Sequence, residues 1–412
     1  MKYVILLGDG MADHPVTELS GQTPLQAAKT PNLNYLARNG EFGLVRTTPN
    51  GCYPGSDVTQ LAILGYDAKK CSTGPAPFEA AGLDVALNPE DVAFRCNLVT
   101  VRADTGGYDV KKLGPHAIMQ DFTAGQIDSL EAKELIYDLN EQIGTEVVQF
   151  YAGVSYRHLM VWAEGKHRIT VAPPHDITGK PVGEFLPKGE GDKVLRALME
   201  AALPILRDHP INIDRIEAGK PPANAIWLWG QGKAPKMPKL TERYGLKGGI
   251  ISALDLPRGL GWYSGLDAVK VPGATGYADT NYQGKVEAAL AELKTKDLVY
   301  IHLGAADEAS HQGDVQGKVK AIELFDEQTL GPLLKELPKL GPHRILMVCN
   351  HATPVALRQH TSEPVPYVLF EGPGRQDKTG TDRGFNEIDA KTTVFVVAWP
   401  TEVAPPSTWS PL

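Results

Sequence analysis

The sequence predicts an α/β fold with a mainly parallel sheet, helices on both faces of that sheet, and an inserted α+β domain. Three observations lead to this prediction. Short apolar runs alternate along the chain with longer segments of helical periodicity. Several of the runs are apolar throughout, which is typical of strands covered on both faces. The middle of the chain is mixed in pattern and rich in polar loops, which indicates a separate insertion.

The individual elements follow from the same periodicities. Strands are predicted at residues 3–7, 225–229, 249–253, 298–303, 344–348, 367–370 and 394–398. Helices are predicted at residues 31–39, 57–64, 129–140, 192–203, 285–294 and 318–336. We find neither internal repeats nor a low-complexity segment.

The length and the middle segment together set the domain organisation. A chain of 412 residues is long for one domain and suggests two, or one that carries a large insertion. Residues 83–222 are predicted to form the inserted, substrate-binding domain, which ends at a proline-rich linker. Residues 1–82 and 223–412 are predicted to form one discontinuous catalytic domain.

Composition excludes several classes of protein. With 42% hydrophobic and 22% charged residues the chain is globular, and its net charge of −8 argues against a nucleic-acid partner. The four cysteines form no CxxC pair, and no apolar run reaches the roughly 18 residues of a membrane span. We therefore expect a soluble, cytoplasmic protein with no membrane partner; the oligomeric state cannot be read from the sequence.

Two acidic motifs follow predicted strands. Asp9 lies between two glycines at the end of the first strand, where open α/β sheets bind ligands. The alternative is an ordinary turn aspartate.

Asp307 and His311 follow strand 298–303 at i, i+4 spacing, so one helical turn would aim both at a single point. A carboxylate with an imidazole suits a divalent metal, although a helix-capping aspartate and a surface histidine would show the same pattern.

Further donors come from two other segments. Asn350 and His351 directly follow strand 344–348, and His360 lies further along. Ser56 opens a helix, where the helix dipole favours an alkoxide or a phosphate; a plain capping serine is the alternative. No G-x-S-x-G motif is present to activate the serine, so a metal is the natural activator. Together, the segments predict a two-metal phosphoryl-transfer site.

At this point the sequence resembles a known family, the archaeal-type cofactor-independent (2,3-bisphosphoglycerate-independent) phosphoglycerate mutases of the alkaline phosphatase superfamily. The resemblance spans nearly the whole chain in family order. It is carried by residues 8–13 (GDGMAD), 54–57 (PGSD), 64–67 (LGYD), 78–80 (FEA), 91–97 (DVAFRCN), 156–158 (YRH), 272–276 (PGATG), 305–311 (AADEASH) and 363–366 (EPVP).

The resemblance implies an alkaline-phosphatase-like fold and a role for each candidate residue. Asp307, His311 and His360 would hold one divalent ion. Asp9, Ser56, Asn350 and His351 would hold a second. The ions would be manganese, with magnesium or zinc as alternatives. Ser56 would be the nucleophile that takes the phosphoryl group from 3-phosphoglycerate, forms phosphoserine and returns the group to the other hydroxyl.

The inserted domain is expected to bind the small phosphorylated substrate through cations. Arg95 and Arg157 lie in matched motifs and suit bidentate recognition of carboxylate or phosphate. A surface ion pair is the alternative for each.

Two positions depart from the family pattern. Asn350 replaces the usual aspartate, so an amide oxygen would bind metal without a negative charge, and metal affinity and Ser56 activation should both fall. Pro75 replaces an arginine, which removes a cation from the reach of a phosphate.

Two alternatives to the mutase therefore stay open. One is a homoserine kinase-like phosphotransferase, because residues 173–177 and 360–366 resemble that branch of the family as well. The other is a weakly active or regulatory member with an altered metal site, which Asn350 motivates.

Overall fold

The computed structural model describes residues 1–372 and 382–393 and the backbone of residues 396–398. It divides the chain into two compact units. The first unit comprises Met1–Ser72 and Lys236–Leu412, and the second comprises Thr73–Pro235. The sequence placed the boundaries at 82/83 and 222/223, so the structure assigns more residues to the inserted unit at both ends.

The strands, in chain order, are β1 (Lys2–Gly8), β2 (Glu41–Arg46), β3 (Val92–Ala103), β4 (Ala117–Asp121), β5 (Val148–Tyr151), β6 (Arg157–Trp162), β7 (Ile169–Thr170), β8 (Lys188–Gly189), β9 (Ala225–Gly232), β10 (Gly248–Ile251), β11 (Asp267–Val269), β12 (Leu298–Leu303), β13 (His343–Cys349), β14 (Val365–Gly372) and β15 (Val396–Ala398). Of the predicted strand 394–398, residues 394 and 395 lie outside the described residues.

The α-helices are α1 (Pro24–Ala27), α2 (Pro31–Asn39), α3 (Ser56–Ile63), α4 (Ala68–Cys71), α5 (Ala76–Gly82), α6 (Ser129–Ile143), α7 (Asp192–Arg207), α8 (Pro210–Glu217), α9 (Leu240–Tyr244), α10 (Asp255–Ser264), α11 (Tyr282–Thr295), α12 (Ala305–Gln312), α13 (Val315–Phe325), α14 (Gly331–Glu336) and α15 (Glu387–Lys391). The helix predicted at 318–336 is divided, because a π-helical turn at Asp326–Leu330 separates α13 from α14.

The first unit is built on an eight-stranded sheet in the order β11-β10-β12-β1-β13-β14-β2-β15. Strand β14 runs antiparallel to both of its neighbours, and the other pairings are parallel. Residues 298–303 of β12 are buried throughout, as expected of a central strand that is covered on both faces. The predicted α/β class with a mainly parallel sheet is confirmed.

The second unit has an antiparallel sheet centred on the twelve-residue strand β3. One edge of β3 pairs with β6 and then with β4, and the other edge pairs with β9. The sequence assigned residues 225–229 to the catalytic domain. The structure places them in β9 of the second unit, because their backbone pairs with β3.

Helix α5 also packs within the second unit. Its residues Ala76 and Ala80 are buried against Ala93, Leu159 and Val161, which lie on β3 and β6. This packing places the unit boundary before α5 instead of after it. No helix in the part of the chain that the structure describes is both long and apolar enough to cross a membrane.

Candidate metal centre

The candidate ligands lie where three neighbouring parallel strands end. β1 pairs with both β12 and β13, and Gly8 is in register with Leu303 and with Cys349. The segments that follow these strands therefore leave the sheet at the same edge, which is where α/β sheets bind ligands. Asp9 follows β1, α12 follows β12, and Asn350 follows β13.

Gly10 permits the close approach of two of these segments. Its φ of 62° is in the left-handed region, which glycine adopts without strain. A Cβ at this position would lie 2.7 Å from the Cα of Asp307. The backbone after Asp9 can therefore pass directly against the Asp307 turn only because residue 10 has no side chain.

Asp307 and two histidines form the first group of candidate metal ligands. Asp307 and His311 lie one turn apart on α12, and Oδ2 of Asp307 is 3.3 Å from Nε2 of His311. Oδ1 of Asp307 is 3.5 Å from Nε2 of His360. The Nε2 atoms of the two histidines are 3.1 Å apart, so three donors converge on one point.

Hydrogen bonds to carbonyls fix the orientation of both histidine rings. Nδ1 of His311 is 2.9 Å from the carbonyl oxygen of Arg358, and Nδ1 of His360 is 3.0 Å from that of Pro54. A carbonyl can only accept, so each Nδ1 carries a proton and each Nε2 faces the centre. This is the arrangement that metal-binding histidines require.

The pKa values of the two rings differ in direction. Burial lowers the pKa of His311, but the adjacent Asp307 carboxylate outweighs burial and raises it to about 9. Burial and the neighbouring His351 lower the pKa of His360 to about 4. At neutral pH His311 therefore carries a second proton, which a cation bound at Nε2 would have to displace.

His351 is oriented by Thr353 in the same way. Oγ1 of Thr353 donates to Oδ1 of Asp307 at 2.6 Å, so its single proton is committed. The 3.0 Å contact between Thr353 Oγ1 and His351 Nδ1 must then be donated by the histidine. Consequently, Nε2 of His351 faces Ser56 and Asp9. It lies 3.4 Å from Oγ of Ser56 and 3.2 Å from Oδ1 of Asp9.

Asp9 is buried, and its carboxylate has a partner on each oxygen. Oδ2 accepts from Nε2 of His302 at 2.7 Å, and Oδ1 accepts from Nδ2 of Asn350. Burial alone would raise the pKa of Asp9, but its hydrogen bond from His302 and its interaction with the adjacent His351 hold it below its usual range. Asp9 is therefore an anion in the folded protein.

Ser56 is the first residue of α3, and Gly55 occupies the capping position before it. The simple alternative of a capping serine therefore does not apply. The N-terminus of α3 favours negative charge near the Ser56 hydroxyl. Asp57, the next residue, accepts a hydrogen bond from Oγ of Ser72 at 2.6 Å, so its carboxylate is oriented toward Ser72.

The donor set fits a divalent cation. One ligand atom each from Asp307, His351 and His360 can be chosen so that all three lie within 4.8 Å of one another. Carboxylate oxygen and neutral imidazole nitrogen can both bind divalent metals, and manganese, magnesium and zinc differ in how strongly they prefer each. The structure thus brings together seven sequence-predicted residues in the first unit, namely Asp9, Ser56, Asp307, His311, Asn350, His351 and His360.

The two predicted arginines belong to the second unit, and both lie over aromatic rings. The guanidinium of Arg95 lies 4.7 Å from the ring centre of Trp229 and forms a 2.7 Å ion pair with Glu79. The guanidinium of Arg157 lies 4.2 Å from the ring centre of Tyr156. Arg95 thus shows the ion pair that was the alternative to anion recognition, on a side chain that is 21% exposed.

Three residues at this site were missed by sequence reasoning. His302 orients Asp9, and Thr353 links His351 to Asp307. Lys318 is fully buried and joins the segments that follow β1 and β13. A histidine inside the apolar strand 298–303 was a detectable pattern, whereas the threonine and the lysine show nothing distinctive in the sequence.

Comparisons with known proteins place the chain among its relatives. The sequence profile of the 2,3-bisphosphoglycerate-independent phosphoglycerate mutase family matches residues 37–212. A Geobacter sulfurreducens protein named "Probable 2,3-bisphosphoglycerate-independent phosphoglycerate mutase" is 50% identical, over 96% of this chain and 97% of its own length. The Methanosarcina barkeri 2,3-bisphosphoglycerate-independent phosphoglycerate mutase is 46% identical over 95% of each chain.

Solved structures agree with the sequence relatives. A Pyrococcus horikoshii protein superposes with a TM-score of 0.72 at 27% identity, over 94% of this chain and 91% of that chain. The cofactor-independent phosphoglycerate mutase of Thermoplasma acidophilum gives a TM-score of 0.55 at 27% identity over 97% of each chain. On the strength of relatives up to 50% identical over nearly its full length, the chain belongs to the 2,3-bisphosphoglycerate-independent phosphoglycerate mutase family.

Proposed function

We propose that the protein is a metal-dependent phosphoglycerate mutase that interconverts 3-phosphoglycerate and 2-phosphoglycerate through a phosphoserine at Ser56. Family membership supports the reaction. One observation supports the site: Ser56 Oγ lies 3.4 Å from Nε2 of His351, within a set of three histidines whose Nδ1 atoms are all committed elsewhere.

The metal ligands are proposed in two groups. Asp307, His311 and His360 form one, and Asp9, Ser56 and His351 form the other, with Asn350 beside Asp9. Manganese is the proposed ion, with magnesium or zinc as alternatives. A bound divalent ion would lower the pKa of the serine hydroxyl and offset the charge of the transferring phosphoryl group.

The chain's own residues orient the nucleophile. Ser56 is held at the start of α3, whose dipole favours an alkoxide before transfer and a phosphate after it. His302 and Thr353 hold the carboxylates of Asp9 and Asp307 in fixed orientations. Oxygen ligands that are positioned in advance do not need to reorganise when charge develops on the transferring group.

Substrate recognition is proposed to involve the second unit. Arg95 and Arg157 present planar guanidinium groups against Trp229 and Tyr156, which limits the orientations of each cation. Such groups suit the carboxylate and the phosphate of phosphoglycerate. Arg95 would exchange part of its contact with Glu79 for the substrate.

The test is an assay of purified, manganese-loaded protein on 3-phosphoglycerate without added bisphosphoglycerate. We expect 2-phosphoglycerate to form, the reaction to stop with chelator, and Ser56→Ala to be inactive. A parallel incubation with homoserine and ATP should yield no phosphohomoserine. Absence of interconversion by the loaded wild-type protein would reject the proposal, and phosphohomoserine formation would favour the kinase alternative.

A further inference from the structure

Both oxygens of the Asp9 carboxylate accept hydrogen bonds from buried side chains. Nε2 of His302 lies 2.7 Å from Oδ2, and Nδ2 of Asn350 donates to Oδ1. All three side chains are buried, with exposures of 4% for Asp9, 1% for His302 and 0% for Asn350. A buried carboxylate is costly unless hydrogen-bond donors replace its water, and here His302 and Asn350 do so.

The donor on Oδ2 can point only one way. Nε2 of His302 lies 2.7 Å from the Asp9 carboxylate, which can only accept, so this nitrogen carries a proton; Nδ1 lies 3.2 Å from Oγ of Ser252, which also accepts from the backbone N–H of Leu254 at 3.0 Å. His302 then carries its proton on Nε2 and gives it to Asp9. His302 thus turns a protonated Nε2 toward Asp9, whereas His351 and His360 turn an unprotonated Nε2 toward the centre, so His302 orients a ligand and is not one itself.

The donor on Oδ1 is fixed just as firmly. Oδ1 of Asn350 accepts from the backbone N–H of Gly10 at 3.1 Å, while Nδ2 faces Asp9. A rotated amide would place its NH₂ group against the N–H of Gly10 and its oxygen against the Asp9 carboxylate. Both contacts would be repulsive, so the surrounding hydrogen bonds select one orientation.

We infer that Asn350 is a positioning residue that donates a hydrogen bond to Asp9, in place of the predicted role of metal ligand. Together with His302 it orients Asp9 for the cation, and it leaves the centre satisfied when no cation is bound. This inference rests on the proposed metal site. It predicts an advantage of the amide at position 350, namely that metal-free protein should keep a folded centre.

A carboxylate at position 350 would reverse this property. In Asn350→Asp the new side chain would face Asp9 across the same contact, and two buried carboxylates repel each other without a cation. The variant should therefore be less stable than wild type without metal and should be stabilised more by metal. Compared with an aspartate, the amide thus lowers the dependence of folding on metal, but it places one negative charge fewer near the ion.

The test is thermal unfolding of the full chain with chelator and with increasing manganese. With chelator, Asn350→Asp should unfold about 5–15 °C below wild type, and manganese should raise its unfolding temperature by more than it raises that of wild type. Asn212→Asp is the matched control, because Asn212 is also a fully buried, hydrogen-bonded amide but lies in the second unit. It should lose stability and show only the wild-type response to manganese.

The outcomes separate the inference from the proposed function. Equal stability of Asn350→Asp and wild type in chelator, or an equal manganese shift, overturns the donor role. Failure of manganese to stabilise any variant rejects the proposed metal site, while the comparison in chelator still decides the role of Asn350. Folding of Asn350→Asp only in the presence of manganese supports the inference.

A second pair of variants provides a test if the Asn350→Asp protein does not fold at all. His302→Leu removes the donor on Oδ2, and His302→Gln places an amide N–H close to the position of Nε2. We expect the manganese dissociation constant to rise about 10–100-fold in His302→Leu and to recover substantially in His302→Gln. Equal affinities in wild type and His302→Leu would contradict the orientation of Asp9 by these hydrogen-bond donors.

Discussion

Lys318 offers the sharpest stability prediction, because its ammonium group is fully buried and joins two ligand-bearing segments. Nζ donates to Oδ2 of Asp13 at 2.8 Å and to the carbonyl oxygens of Ala12 and Thr353 at 3.1 and 3.0 Å. All three protons are therefore used. Ala12 follows β1 and Thr353 follows β13, so one side chain holds together the segments that carry Asp9 and His351.

The expected loss in Lys318→Met can be derived from these contacts. The substitution keeps the length of the side chain but leaves the Asp13 carboxylate buried without its cation, although Val355 N–H still donates to it at 3.1 Å. Removal of one member of a buried ion pair costs about 3–5 kcal/mol of unfolding free energy. For a unit of this size that is a fall of about 6–20 °C in unfolding temperature.

The assay is thermal unfolding of Lys318→Met beside Lys320→Met, a control on the exposed side of the same helix. We expect the control to stay within about 0.5 kcal/mol of wild type. Asp13→Asn combined with Lys318→Met should be more stable than Lys318→Met alone, because no charge is then left unpaired. A loss below about 1 kcal/mol in Lys318→Met, or strict additivity of the two changes, would refute the reasoning.

Three further predictions concern hydrogen bonding and pH. Thr353→Val should weaken manganese binding about 10–100-fold because Asp307 and His351 lose their shared hydroxyl, and Thr353→Ser should retain affinity in the same titration; equal binding by Thr353→Val would contradict this role. Burial lowers the pKa of His158 to about 3, so the unfolded chain binds a proton that the folded chain does not. Stability should therefore fall as the pH drops from about 6.5 toward 3, and His158→Asn should flatten this fall in urea unfolding; identical pH profiles would be contrary evidence. Because the Asp307 carboxylate outweighs burial and raises the pKa of His311 to about 9, manganese binding to the group of Asp307, His311 and His360 at pH 7 should release about one proton. Calorimetry in buffers of different ionisation heat measures that number, and a value of zero would exclude His311 as a ligand.

The sequence predicts several strands of the eight-stranded sheet because those strands are locally distinctive. Residues 298–303 form an unbroken apolar run, and the structure has β12 with those same bounds. Helix α2 likewise begins at Pro31 and ends at Asn39, as its proline start and periodicity predict. In such elements the local sequence pattern predicts both the secondary structure and the burial.

Long-range pairing was the part that the sequence could not supply. Residues 225–229 were correctly predicted as a strand, but nothing local shows that β9 pairs with β3, more than 120 residues earlier. The π-helical turn at Asp326–Leu330 was hidden for a similar reason. Its Asp326 accepts from the backbone N–H groups of Asn32 and Leu33, which are distant in sequence.

The candidate site shows the same division. Asp307 and His311 could be grouped in advance because i, i+4 spacing on a helix is local information. The role of Thr353 depends on a hydroxyl proton shared between two elements, and the role of Asn350 depends on which way its amide is turned. Both are properties of the assembled edge of the sheet, so residue types and spacing alone do not reveal them.

The most direct test of the central claim is a single-turnover reaction with manganese-loaded protein in excess over 3-phosphoglycerate, quenched in acid and examined by mass spectrometry. The account predicts one phosphate on the peptide that contains Ser56, absent with chelator and absent in Ser56→Ala. Formation of 2-phosphoglycerate by Ser56→Ala, or phosphate found on a different residue of the wild-type protein, would contradict it.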